Sequence, residues 1–210
     1  MTARVVPVSP GAVQQAAAIL RDGGLVVFPT DTVMGVAAAA GRLDAVERIY
    51  AIKGRDRSKP LQVLLASADQ VASVAGALSP LARRAVDALL PGGVTLVVNR
   101  GEAIAPEVVA GGETVGVRVP DHPVVRALVT ALGGPLAATS ANRSGEPSPV
   151  DAQQAVAALG DAVDLVLDGG PCPVGRESTV VDLTGETPRV LRWGAVGKDA
   201  LEAALGAPVA

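Results

Sequence analysis

Short apolar runs set between glycines and prolines constrain this chain most. Leu25-Val26-Val27-Phe28 lies between Gly23-Gly24 and Pro29, residues 61–65 follow Pro60, 94–98 follow Pro91-Gly92-Gly93, 115–119 end at Pro120, and 165–167 precede Gly169. Runs this short and this rich in Val and Leu read as strands, and the first, with no polar residue, as a buried one. Segments of helical character separate them. Ser9-Pro10 and Ser79-Pro80 each set an N-cap before a first-turn proline, which predicts helices running to about Arg21 and to Leu90. Residues 43–52, 123–132, 151–159 and a short stretch from Lys198 also read as helices, and 68–74 as weakly helical. Residues 36–40 suit strand or helix equally. Residues 5–8 read as an extended entry, and 135–138 as a short strand that delivers Thr139-Ser140 into a polar loop. Residues 178–182 and 189–192 read as a hairpin around Thr184-Gly185. Helices alternate with strands early and strands gather late, which predicts an α/β fold with a mixed sheet and flanking helices.

The composition narrows the function. At 210 residues, 49% hydrophobic and 19% charged, residues 1–210 are expected to form a single domain with a sizeable core. A net charge of −3 argues against a general nucleic-acid binder. Phe28, Tyr50 and Trp193 are the only aromatics, too few for a single-strand binder that stacks bases. One cysteine, Cys172, excludes an intrachain disulfide, and with His122 the lone histidine no zinc site is expected. No apolar leader or membrane span stands out, so a cytoplasmic setting is the expectation.

Two polar clusters interrupt this Ala/Val/Leu-rich background. Lys53, Arg55, Arg57 and Lys59 recur at every second position. In extended geometry that spacing puts four cations on one face, an arrangement that calls for an anion; the plainer reading is a solvated helix end answering the macrodipole. Thr139, Ser140, Asn142, Ser144 and Ser148 surround Gly145, a composition that suits an anion nest or an ordinary loop. Thr30-Asp31-Thr32 follows a core strand, Ser178-Thr179 follows Arg176, and Arg118 and Arg192 sit in strands where they reach either a ligand or solvent. His122, before Pro123, reads as a helix-opening residue and Cys172 as incidental. There is no GxxxxGK[ST] and no GxGxxG after the first strand. Cations, hydroxyls and amides without an evident general base suit phosphoryl or nucleotidyl transfer, in which positioning and charge stabilisation do most of the work.

Six segments in order resemble the YrdC-like threonylcarbamoyl-adenylate synthase family: Phe28-Pro-Thr-Asp-Thr32-Val-Met-Gly35; Lys53-Gly-Arg55 with Lys59-Pro60-Leu61; Val117-Arg-Val-Pro120 with His122-Pro123; Ser140-Ala-Asn142-Arg-Ser-Gly145 with Pro147-Ser148; Ser178-Thr-Val-Val-Asp182; and Leu191-Arg192-Trp-Gly194. The match spans roughly residues 10–195. Each segment alone is weak, and all six in sequence are specific. The resemblance implies an open-sided twisted α/β domain with a deep, positively lined cavity, in the single-domain form of the family. It implies a nucleotidyltransferase that condenses L-threonine, bicarbonate and ATP into threonylcarbamoyl-adenylate and pyrophosphate, with Mg2+ accompanying the ATP and no structural metal. The product would feed the tRNA threonylcarbamoyl transferase machinery that modifies adenosine 37, without need for RNA contact or a membrane. The resemblance puts threonine near Thr32, Arg118, Ala138 and Ser178. It puts ATP near Arg55, Lys59, Thr114, Ser140, Asn142, Ser148 and Arg192, and gives Lys53 and Arg55 the catalytic roles. Relatives commonly have Tyr at Met34, His at Leu64 and Asn at Lys59, so the threonine pocket is expected to be completed by different groups here. The competing readings are an RNA-binding protein using the same basic cavity and a carbamoyl-transfer domain of the hydrogenase-maturation type.

Overall fold

The computed structural model describes residues 3–210 and builds one ten-stranded sheet. In chain order the elements are β1 (Arg4–Pro7), α1 (Pro10–Arg21), β2 (Val26–Phe28), β3 (Gly35–Ala39), α2 (Leu43–Lys53), β4 (Gln62–Leu64), a 3-10 turn (Ala68–Gln70) leading into α3 (Val71–Val74), and α4 (Pro80–Leu89). There follow β5 (Val94–Asn99), a second 3-10 turn (Pro106–Val109), β6 (Thr114–Arg118), α5 (Pro123–Leu132), β7 (Leu136–Ser140), α6 (Ala152–Leu159), β8 (Leu165–Asp168), β9 (Thr179–Asp182), β10 (Arg189–Arg192) and α7 (Lys198–Leu205). The strand order is β1-β8-β2-β3-β7-β4-β6-β5-β9-β10. Parallel pairs (β1/β8, β2/β8, β4/β6, β5/β9) mix with antiparallel ones (β2/β3, β3/β7, β4/β7, β5/β6, β9/β10), as the order of runs predicts.

The period-two alternation of the strands separates two faces. Val27, Val36, Val63, Leu96, Val115, Val117 and Val181 face a large core that includes residues of α2, α4, α6 and α7. Val26, Phe28, Ala37, Leu64, Leu136 and Leu165 face the other way, under α1 and α5. Each large side chain sealed in these layers contributes about 1.5–3 kcal/mol. The second layer ends at β4. On that face, β6, β5, β9 and β10 carry no helix among the described residues, and their outward side chains form the floor of an open cavity.

The caps explain where the helices begin. Ser9 Oγ accepts from Ala12 N and Ser79 Oγ from Ala82 N, both at 3.1 Å, satisfying amides that would otherwise lack a partner. His122 Nδ1 accepts from Val124 N at 3.3 Å and caps α5, in line with its reading as a helix-opening residue. Three local expectations change. The ambiguous 36–40 segment is strand β3, because pairing with β2 and β7 on both sides overrides the weak strand preference of alanine. The 135–138 strand runs on to Ser140, since Gly35 pairs with Ser140 and Val36 with Thr139. The extended entry at 5–8 is a paired strand, β1, at the sheet edge against β8. No helix among the described residues is long and apolar enough to cross a membrane.

Candidate active site

A cavity of about 480 Å³ opens on the uncovered part of the sheet, within the roughly 300–1,000 Å³ usual for small-molecule sites. It gathers Thr32, Lys53, Arg55, Lys59, Thr114, Arg118, Ala138, Ser140, Asn142, Ser178 and Arg192, segments far apart in the chain. Arg55 and Ser140 thus face the same space. Ser148 does not line it: its Oγ donates to Glu177 Oε1 at 2.6 Å, behind the wall.

The expected row of four cations on one face does not form. Gly54, at φ 57°, ends α2 in a left-handed C-cap and turns the chain, so residues 53–59 follow a helix end and a turn. Arg57 swings away to pair with Glu47. Lys53 is buried. Its Nζ donates to Ser140 O at 2.6 Å, to Asn142 O at 2.5 Å and to Asn142 Oδ1 at 3.3 Å. The lysine is therefore a brace that ties α2 to the end of β7, and Ser144 N returns a bond to Lys53 O at 2.8 Å. Arg55 stays at the cavity, with Nε and Nη2 directed at the carbonyls of Lys59 and Pro60; burial, with the nearby charge of Arg192, holds its pKa below the usual value.

Arg118 lies at the other end, with its side chain 3% exposed, and forms a 2.6 Å ion pair with buried Asp31. Its Nη1 donates to Thr32 Oγ1 at 2.8 Å and its Nε to Gly92 O at 3.0 Å. The 30–33 turn that presents Asp31 and Thr32 is knotted by Thr30 Oγ1, which donates to Val33 O at 2.7 Å. Cys172, also buried, is held in its neutral thiol form by burial.

Sequence reasoning missed Gln62, Thr95 and Glu177, all of which line the cavity. Gln62 and Thr95 each interrupt an apolar strand on the cavity face, a signal that alternation carries. Glu177 pairs with Arg192 and sits on a loop with no periodic signal. The departures at Met34 and Leu64 lie elsewhere. Met34 is core, and its backbone bonds Ala141 N and Pro149 O, while Leu64 packs in the layer under α1 and α5. Neither side chain lines the cavity. On β4 it is Gln62 that does.

Burial lowers the Lys53 pKa to about 8, with the charge of Arg55 adding to the effect and that of Glu177 opposing it. Affinity of the cavity for a polyanion probe such as inorganic pyrophosphate is accordingly expected to fall as pH rises through about 8, because neutral Lys53 loses both a cavity charge and one of its three donors. A titration of pyrophosphate affinity from neutral pH upward that stays flat would contradict this. On stability the sign is reversed. Between about 8 and the ordinary 10.5 the unfolded chain keeps a proton that the native chain has lost, so this group alone makes stability rise with pH.

The sequence and fold recur in known proteins. The Sua5_yciO_yrdC family profile, described as "Telomere recombination", matches residues 18–194. The chain is 41% identical over 195 residues to the threonylcarbamoyl-AMP synthase of Bacillus subtilis (strain 168), covering 92% of this chain but 56% of that protein. It therefore spans little more than half of that relative's length. The crystal structure of P. abyssi Sua5 complexed with L-threonine superposes with a TM-score of 0.94 at 34% identity, over 100% of this chain and 63% of that one. E. coli YciO superposes at 0.88 and 25% identity, over 95% of this chain and 99% of that one. By fold, by motif and by sequence the chain belongs to the Sua5/YciO/YrdC family.

Proposed function

We propose that the cavity condenses L-threonine, bicarbonate and ATP into threonylcarbamoyl-adenylate and pyrophosphate. The observation that carries this reading is the pairing, in one cavity, of two kinds of end. Thr32, Arg118 and Ser178 make a hydroxyl-rich end with a buried guanidinium, Arg55 and Lys59 make a cationic end, and Arg192, which donates to Ser178 O at 2.9 Å, adds a further cation beside the first. The first suits the carboxylate and polar groups of an amino acid, and the second suits a polyphosphate. The name of the Bacillus relative and the threonine held by P. abyssi Sua5 support it.

Threonine and bicarbonate combine, with loss of water, to the carbamate. A carbamate oxygen attacks the α-phosphorus of ATP, the bond from that phosphorus to the bridging oxygen of the β-phosphate breaks, and pyrophosphate leaves with the electron pair. The chain's contribution is to align the two reactants and to stabilise charge on the departing group from Arg55, Lys59 and Arg192. Among the described residues no cluster of three side chains forms a metal cage, and Glu177, one of the cavity's carboxylates, is paired with Arg192. Mg2+ would accompany ATP and would supply charge neutralisation at its phosphates. The adenylate would be consumed by an enzyme that transfers the threonylcarbamoyl group to adenosine 37 of tRNA. Incubation with ATP, threonine and bicarbonate is expected to yield the adenylate by mass and an equal amount of pyrophosphate, both lost when threonine is omitted. Pyrophosphate or ADP formed equally without threonine would overturn the reading.

A further inference from the structure

A line of side-chain hydrogen bonds runs beneath the cavity from Arg192 to Gln62. Arg192 Nη2 lies 3.3 Å from Ser178 Oγ, which lies 2.8 Å from Thr95 Oγ1, which lies 2.9 Å from Gln62 Oε1. Thr95 and Ser178 are buried, and each hydroxyl has one proton to give. Gln62 Oε1 only accepts, so Thr95 donates to it. With that proton committed, Ser178 donates to Thr95. A guanidinium only donates, so Arg192 donates to Ser178. All three steps agree in direction, from a permanent cation to the amide oxygen of Gln62. The carbonyl end of Gln62 is thereby held against Thr95, and its Nε2 is left to the cavity that Gln62 lines.

Nothing bulky covers that amide. Gln62 pairs with Gly116 on β6 and with Ala138 on β7. A Cβ at Gly116 would come within 3.2 Å of Thr95 Cγ2 and crowd this part of the floor. Along β6 the cavity-facing residues are Thr114, Gly116 and Arg118, and Gln62 is level with the middle one. Under the function proposed above, on which this inference rests, Arg118 serves threonine and Thr114 serves ATP. Gln62 then stands where the two are joined, and the joining group is a small planar carboxylate-like unit with acceptor oxygens.

We propose that Gln62 is a specificity residue that donates from Nε2 to an oxygen of bicarbonate and of the carbamate formed from it. Pyrophosphate release, with each substrate varied in turn, tests this on the wild type and on Gln62→Leu, Gln62→Glu and Thr95→Val. In Gln62→Leu the KM for bicarbonate is expected to rise about three- to tenfold, the loss of one neutral hydrogen bond. Gln62→Glu, of equal size but with a negative charge and no donor, is expected to raise it further. Thr95→Val, which removes the proton that orients the amide, should move the same constant in the same direction. In the two Gln62 variants the KM values for threonine and ATP should stay near those of the wild type; Thr95→Val, which also takes the acceptor from Ser178, is read on bicarbonate alone. An unchanged bicarbonate KM, a parallel rise in all three constants, or a rise confined to ATP overturns the assignment. A wild-type protein without threonine- and bicarbonate-dependent release overturns the function itself, and the role of Gln62 falls with it.

Discussion

Replacing Asp31 by Ala is expected to remove about 3–5 kcal/mol of stability, the usual effect of leaving a buried charge without its partner, and to lower the melting temperature by about 6–20 °C for a chain of this size. Burial pushes the Arg118 guanidinium below its ordinary pKa, and the charge and hydrogen bond of Asp31 are the main opposing influences. Without Asp31 the guanidinium keeps Thr32 Oγ1 and Gly92 O as neutral acceptors, and neither balances its charge. Replacing both partners, Asp31→Leu with Arg118→Met, should recover much of the loss, because a buried pair replaced by packed apolar groups is often neutral or better. The same double variant should bind no threonine. Three of the five N–H donors of Arg118 go to protein acceptors, which leaves two for a substrate carboxylate. Thermal melting separates the two roles: single variants unstable and the double variant restored but inactive. A single Asp31→Ala protein that melts with the wild type would refute the uncompensated-charge argument.

This pair also shows what the sequence could and could not disclose. The short apolar runs, the Ser-Pro caps and the late gathering of strands were sufficient for a mixed sheet with flanking helices, because caps and period-two patterning are local physics. The partner of Arg118 was not legible, since Asp31 lies in another segment and is brought to it only by the sheet. The 53–59 cations were undecided for a related reason. Their spacing suits an extended row or a helix end alike, and a left-handed Gly54 makes it a helix end and a turn, with one cation going inward and another turning outward. The hairpin ending at Arg192 was legible, but not its bulge. Between Val190 and Arg192 the register slips, so that Leu191 and Arg192 both line the cavity instead of alternating across the sheet.

Lys53→Ala and Arg55→Ala are expected to abolish threonine-dependent pyrophosphate release alike, each by about a hundredfold or more, yet to differ in stability. Arg55 is partly exposed and rests on two backbone carbonyls that solvent can reach. Its loss should leave the melting temperature near that of the wild type. Lys53 is buried, and its removal orphans Ser140 O, Asn142 O and part of Asn142 Oδ1. Orphaned acceptors of this kind cost about 1–3 kcal/mol each, offset in part by relief of the buried ammonium; a net loss of about 2–4 kcal/mol follows. The consequence for the site is geometric. Ser140 Oγ donates to Asn142 Oδ1 at 2.5 Å, and Asn142 Nδ2 holds the carbonyls of Arg143 and Glu146, so the whole 140–146 wall is strung on the acceptors that Lys53 grips. Arg55→Ala should therefore lose ATP affinity with the wall in place, while Lys53→Ala should in addition expose the 140–146 amides to hydrogen exchange. Equal exchange protection in both variants would mean that Lys53 serves only as a cavity cation and that the brace contributes nothing to the wall.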